Sequence, residues 1–420
     1  MKALARSFFP FLIFTFVMST FSEAYLPERR RDQFKGTPGY YIAPIPYRLT
    51  GIGEGVILLG AALNIMDTNT DAYGFAFTGD LEGFGAGVLD IHLIPETLIL
   101  GATTERINRA TLTSYTKRGM DTDKNDYTLI ELGDIEFNLA RLTATFFDRR
   151  FEIYGMGYEV SSALKNIREP DGAIIVDVQD PKRETGQNTS IGTRLDLTDD
   201  YQDPRKGVRL DISSAWSPPK SSSSPDYYIM DYNATAFIPM GKRSTWAFNY
   251  FRSDAYVMRT GETDRTKIDE ELGLDCGTIV DPVDQKRCNQ FIDNTIAANT
   301  YGTVGSLGGT SRLRSYSHDR YSGAHSLFYG TEFRWNITEE SAPFNIIIMK
   351  DVRTALQLAY FYETGSIVDK LEELGGIMRS SYGAGFRIVT ASGLVFRADV
   401  ANGSEGVETT MIIGYPWEIF

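Results

Sequence analysis

Strict alternation limits what this chain can fold into more than any other feature of it. In Tyr228-Ile229-Met230-Asp231-Tyr232-Asn233-Ala234-Thr235-Ala236 one side reads Tyr, Met, Tyr, Ala, Ala and the other carries Ile, Asp, Asn and Thr. Trp246, Phe248 and Tyr250 alternate with Ala247 and Asn249, and Met411, Ile413, Tyr415 and Trp417 alternate with Ile412, Gly414, Pro416 and Glu418. A period of two belongs to β-strands, and helical periodicity nowhere holds for long. An oily face and a wet face on one strand fit a wall between lipid and an aqueous lumen.

Lys2 and Arg6 flank an apolar run from Phe8 to Met18, and Ser22-Glu23-Ala24 puts small residues at the two positions a signal peptidase reads. Residues 1–24 are therefore expected to be a cleaved secretory signal, since the run is too short to span a bilayer. Losing Lys2, Arg6 and Glu23 takes the net charge from −13 to −14. Such an acidic chain lacks the basic face that phosphates require, so nucleic acid is not an expected partner. After the signal the longest apolar stretch is Val56 to Leu63, less than half of a spanning helix. A membrane location then demands a closed barrel, which pairs every backbone polar group. A soluble sandwich or propeller would need internal repeats or two sheets' worth of core, and no repeat is found.

Some connections are tight, as at Pro95-Glu96-Thr97, Gly241-Lys242-Arg243-Ser244 and Ser392-Gly393, while others are long and rich in Asp, Ser and Gly. Short periplasmic turns and long outer loops have this asymmetry. The longest connection runs roughly from Thr260 to Ala324. At about ten residues per strand, the expected fold is an all-β, antiparallel transmembrane barrel of about sixteen strands over residues 41–420. The strands fall near 41–50, 55–66, 73–80, 84–94, 98–116, 126–146, 151–162 and 188–198, then near 207–217, 227–239, 245–258, 325–337, 346–364, 378–390, 394–401 and 407–420. Residues 25–40 are expected to be a short periplasmic segment before it.

Four groups of residues go further. Gly308-Gly309-Thr310-Ser311-Arg312-Leu313-Arg314-Ser315-Tyr316 has a glycine pair, then a hydrophobic residue, an arginine and an aromatic. Leu327-Phe328-Tyr329-Gly330-Thr331-Glu332-Phe333-Arg334 and Phe361-Tyr362-Glu363-Thr364-Gly365 each present an acid within an aromatic strand. Asp199-Asp200-Tyr201-Gln202-Asp203-Pro204-Arg205-Lys206-Gly207 runs from an acidic strand end to a proline and a glycine. Tyr382-Gly383-Ala384-Gly385-Phe386-Arg387 and Val395-Phe396-Arg397-Ala398-Asp399 flank Ser392-Gly393. In content and in order, across residues 188–420, these resemble the barrel of the BamA/TamA (bacterial surface antigen) family of outer-membrane assembly and translocation proteins. Two departures are Ser315, where the family's sixth-loop signature has glycine, and Glu363, where aspartate is usual.

The resemblance implies a long sixth extracellular loop inserted into the barrel, with Leu313, Ser315 and Tyr316 at its tip. Glu332 and Glu363 on neighbouring strands would fork the guanidinium of Arg314, an arrangement lysine would not reproduce. The bland alternative leaves Arg314 as one of many exposed loop arginines, with the acids lining a wet lumen. Asp203, Pro204 and Gly207 would form the turn between mid-barrel strands, and Phe420 resembles the C-terminal aromatic that such barrels offer to the assembly machinery. Most members of the family carry POTRA domains before the barrel, and this chain is expected to lack them.

Gly414 and Pro416 fall in the expected last strand, and Pro44 and Pro46 in the first. Proline has no ladder donor, so the seam between these strands is expected to be weak. Either the seam opens sideways to present an edge to an incoming strand, or the prolines only end short edge strands. Cys276 and Cys288 lie 12 apart in the longest loop of an exported chain, which predicts a disulfide contributing roughly 3 kcal/mol. His92, His318 and His325 are scattered and no Gly-x-Ser-x-Gly elbow occurs, so no catalytic residue, metal or cofactor is expected. The expected role is insertion or translocation of proteins or lipids at the bacterial outer membrane, among its lipids and with unfolded outer-membrane proteins or a separate periplasmic partner. A passive pore or structural surface antigen is the competing reading.

Overall fold

The computed structural model describes Arg29 and residues 38–417, apart from 179, 273–275, 339–343, 353 and 391–394. The expected signal, most of the 25–40 segment, the Ser392-Gly393 turn and Phe420 lie outside the described residues. Among the described residues, nineteen strands form one antiparallel sheet that closes on itself. Sixteen are the staves of the barrel. They are β1 (Gly39–Leu49), β2 (Gly53–Leu63), β3 (Asp71–Gly79), β4 (Glu82–Ile94), β5 (Leu98–Tyr115), β6 (Tyr127–Phe146), β7 (Phe151–Arg168) and β8 (Arg183–Asp196). The second half is β9 (Gly207–Trp216), β10 (Asp226–Pro239), β11 (Ser244–Arg259), β12 (His325–Asn336), β13 (Thr354–Val368), β14 (Arg379–Thr390), β15 (Val395–Gly403) and β16 (Gly406–Ile413). The other three strands, Ile174–Asp177, Phe344–Ile346 and Met349–Val352, sit inside connections.

Several boundaries differ from the sequence expectation: the strand expected over 151–162 runs on to Arg168, and the one expected over 188–198 begins at Arg183. The strand expected over 346–364 starts at Thr354, because the residues before it fold back as a separate hairpin. The strand expected over 407–420 stops at Ile413, and the chain turns at Gly414 with φ +113°. Gly414 and Pro416 therefore lie beyond the last strand, not within it.

Alternation sorts the side chains as a wall between lipid and lumen requires. Trp246, Phe248 and Tyr250 of β11 are about two-fifths exposed on the outer face, whereas Ala247 and Asn249 are buried inside. The inner face is not uniformly wet. In the second half it carries Asn233, Asn249, Ser253, Glu332, Gln357 and Arg387, all buried. In β1–β7 it is largely apolar, and its rings interlock: Tyr73 stacks on Phe75 at 6.2 Å, and Phe75 meets Phe77 edge-on at 5.0 Å. Aromatic contact takes the place there of the charge pairing seen opposite.

The connection of residues 260–324 is partly helical, with α1 (Arg265–Leu272) and α2 (Pro282–Tyr301). Asp281 caps α2 by accepting from the N–H groups of Val283 at 2.8 Å and Asp284 at 3.1 Å, Pro282 opens it, and Gly302 closes it at φ +78°. The Asp-Pro start and the glycine stop were the available sequence signals. Cys276 and Cys288 form a disulfide with Cα atoms 5.5 Å apart, tying α2 to the segment before it.

Candidate functional site

The 260–324 connection re-enters the barrel after α2 and brings Arg314 among three carboxylates. Its Nε donates to Glu363 Oε1 at 2.8 Å, one terminal nitrogen to Asp399 Oδ2 at 2.7 Å and the other to Glu332 Oε2 at 3.3 Å. The backbone N–H of Arg314 donates to Glu363 Oε2 at 3.0 Å. All four side chains are fully buried, and the guanidinium carbon lies 3.4 Å from the Phe361 ring centre. Burial works against the charge on Arg314, but the three acids outweigh it and its pKa is raised. Glu332 and Glu363 face inward on adjacent strands because Gly330 pairs with Glu363 and Glu332 with Phe361 in the β12–β13 ladder.

Further arginines balance the acids. Arg387 grips both oxygens of Glu332, Arg334 Nε donates to Glu332 Oε1 at 2.7 Å, and Arg397 donates to Asp399 Oδ2 at 3.2 Å and to Thr310 O at 2.8 Å. Buried charge on this scale persists only when every member is paired. At the tip, Tyr316 N–H donates to Leu313 O at 3.0 Å and the Tyr316 hydroxyl to Ser380 O at 3.1 Å. The left-handed residue of the tip is Leu313 at φ +53°, and Ser315 does not need that conformation. Within that turn the Ser315 N–H donates to Ser381 Oγ at 3.0 Å.

The 197–206 turn folds into the mouth of the lumen at the end of the barrel near the chain termini. Asp200, Tyr201, Gln202, Asp203 and Pro204 are buried. Asp200 Oδ1 accepts from the N–H groups of Gln202 and Asp203, and Arg149 lies 4.2 Å over the Tyr201 ring. Arg29 adds a clamp from before β1, donating to Asp196 Oδ1 and Thr198 O at 3.0 and 2.9 Å. Gly207 ends the turn at φ +114°, where a Cβ would collide with Leu197 O and Thr198 Cα. Gly207→Ala is expected to destabilise the barrel by about 2 kcal/mol, read as a lowered urea midpoint in liposomes.

Beyond β16 the chain crosses into the lumen. The Tyr415 hydroxyl donates to Asp203 Oδ1 at 2.6 Å, Trp417 Nε1 donates to Glu363 Oε1 at 2.9 Å, and Asn233 Nδ2 donates to Trp417 O at 3.0 Å. Tyr415 and Trp417 were expected on the lipid face by alternation. They are buried inside because Gly414 re-aims the chain.

Against full ladders elsewhere, β1 and β16 share one register pair among the described residues, Arg48↔Met411. A hydrogen bond from Thr50 Oγ1 to Glu408 Oε2 at 3.1 Å holds the same end. Ile42 N–H points across the seam, since it donates to Ile348 O at 2.9 Å. N–H directions alternate along a strand, so Pro44 and Pro46 occupy the two next seam-facing positions and supply no donor there. The missing donors at the seam thus come from β1 alone, since Pro416 lies beyond the last strand. Beside them an apolar cleft of about 540 Å³ is lined by Pro44, Pro46, Leu356, Phe386, Phe396 and Met411.

Sequence reasoning found Arg314, Glu332 and Glu363, and missed Asp399 as the third acid, Trp417 as a donor and Arg29 as a clamp. Asp399 alternates in β15 with Phe396 and Ala398, which already marked it as inward. Nothing local marks the other two. The histidines stay apart: His325 Nδ1 lies 2.7 Å from Asp254 Oδ1, while His318 N–H donates to Thr50 O in the docked connection.

No family model matches the sequence, and no curated protein does. Solved structures do. The chain aligns with CdiB from Escherichia coli at TM-score 0.51 and 12% identity, covering 90% of this chain and 62% of that one. CdiB from Acinetobacter baumannii aligns at 0.49 and 11%, covering 90% and 60%. BamA from Haemophilus ducreyi lacking POTRA domains 1-3 aligns at 0.48 and 12%, covering 90% and 69%. In fold, this chain is a sixteen-stranded barrel of the kind found in Escherichia coli CdiB.

Proposed function

We propose that this barrel acts in the bacterial outer membrane and assists the insertion or translocation of proteins there, with the β1–β16 seam as the place where a client chain meets it. The single Arg48↔Met411 pair carries the reading. Each backbone hydrogen bond is worth about 1 kcal/mol net, so this junction parts far more easily than a ladder such as β5–β6, which is paired along both strands. The outward aromatic and aliphatic belt suits lipid, and the buried Arg314 cluster gives the strands beside the seam a rigid backing.

The test is the folding rate of a small unfolded barrel protein added to liposomes that contain this protein, with empty liposomes and the Arg314→Ala variant as controls. Folding faster than in empty liposomes, and slower again with Arg314→Ala, is the expected result. Equal rates with and without the protein would replace this reading with that of a passive pore or surface barrel.

A further inference from the structure

Among the described residues, the free edge of β1 carries a second strand besides β16. Met349–Val352 pairs antiparallel with it, Tyr40 opposite Lys350 and Tyr41 opposite Met349. The Ile42 N–H closes this contact on Ile348 O at 2.9 Å. Met349–Val352 in turn pairs with Phe344–Ile346, so the 337–353 connection between β12 and β13 ends in a β-hairpin laid against β1. Its tip, Ile347-Ile348, is apolar and exposed, with Ile347 at 96%. The connection starts and ends on β12 and β13, three strands away from the seam in the sheet order.

The location is selective. On the seam-facing side of β1 the donors are Tyr40, Ile42 and Arg48, since Pro44 and Pro46 have none. Arg48 is opposite Met411 of β16. The hairpin covers the rest, Tyr40 and Ile42. An extended chain adding to this edge would need those same donors, because an edge is recognised through its main-chain hydrogen bonds. A hairpin here also blunts an edge that would otherwise pair indiscriminately.

We infer that the 344–352 hairpin is a built-in strand that occupies the β1 edge and must leave before another extended chain can pair there. This deepens the proposed function, on which it rests, by naming how the seam is kept closed at rest. Because the hairpin is tethered, its effective concentration at the edge is of order millimolar, and it outcompetes a dilute strand while yielding to one that binds more tightly.

The test uses the full chain in liposomes, with Tyr40→Cys and Lys350→Cys bridged by a short thiol-to-thiol reagent. Cys276 and Cys288 are already joined and do not interfere. The probe is a synthetic peptide of residues 406–420, which continues the Arg48↔Met411 register as far as Ile42 and Tyr40, with a photoreactive group that reports capture by β1. A second variant replaces residues 344–352 with a Gly-Ser turn. Efficient bridging is expected, with peptide capture nearly abolished in the bridged protein and raised about tenfold in the turn variant at ~0.1 mM peptide. Failure to bridge would overturn the pairing. Equal capture in bridged, unbridged and turn-replaced proteins would overturn the competition. If capture follows the hairpin but client folding is never accelerated, the proposed insertion role fails while this inference stands.

Discussion

Replacing Arg314 by alanine frees the 260–324 connection from the lumen and costs the barrel about 3–5 kcal/mol, the usual effect of removing one partner from a buried ion pair. The damage is uneven. Glu332 keeps Arg334 and Arg387, and Asp399 keeps Arg397. Glu363 loses the guanidinium that met it at 2.8 Å and retains, among side-chain donors of the described residues, only Trp417 Nε1. Glu363→Gln added to Arg314→Ala should therefore recover part of the loss, because it removes the stranded charge. Arg314→Lys should not rescue the protein, since a single ammonium cannot reach three acids in a fixed fork. Two measurements check this: the urea midpoint in liposomes and trypsin cleavage after Arg320, which is fully buried in the docked connection. An Arg314→Ala protein with native protection at Arg320 would mean that Arg320–Glu405 and Tyr316–Ser380 hold the connection unaided.

Trp417→Ala carries the second large effect. Its indole is 1% exposed and packs so closely on Gly330 that a Cβ there would meet the ring at 2.7 Å. Truncating a fully packed tryptophan costs about 3–5 kcal/mol. Trp417 and Arg314 share Glu363 Oε1, so the two substitutions should be less than additive. The other three tryptophans offer an optical check: Trp216, Trp246 and Trp335 are 40, 40 and 46% exposed on the outer wall. A quencher carried on lipid chains should quench those three and spare Trp417. In a protein with all three changed to phenylalanine, the remaining emission should resist the lipid quencher, and Glu363→Ala should open it to acrylamide. Lipid quenching of that lone Trp417 would mean that the end of the chain lies along the wall and not in the lumen.

What was legible beforehand was what repeats or sits in one short stretch. Alternation in β10 and β11 fixed their faces, because each residue's side follows from its neighbour's. The spacing around Arg314, Glu332 and Glu363 was readable as three local motifs. Tyr415 and Trp417 misled for the same reason: their alternation is genuine, but one left-handed glycine at 414 turns the chain before it can be used. The hairpin at 344–352 was merged into the following strand, since Ile346 to Met349 is as apolar as strand residues elsewhere. The apolar inner wall of β1–β7 was hidden because β2 and β3 are apolar on both faces, while β5 and β6 alternate in the opposite sense, with Ile107 and Phe137 inward and Arg106 and Asn138 outward.

The distances along the chain within the Arg314 network bear on how the barrel is assembled. Arg314 reaches partners 18, 49 and 85 residues away, and Trp417 reaches Glu363 across 54. The last third of the chain can therefore neutralise its own charges before the first strands take part. Tyr415 to Asp203 spans 212 residues and Arg29 to Asp196 spans 167. Closing loops of that length is slower and entropically dearer. The expected chronology is a C-terminal sector that matures first, with the N-terminal staves recruited onto it and the mouth sealed last. A barrel interrupted midway would then hold the arginines around Arg314 already paired while its aromatic half was still unbuilt.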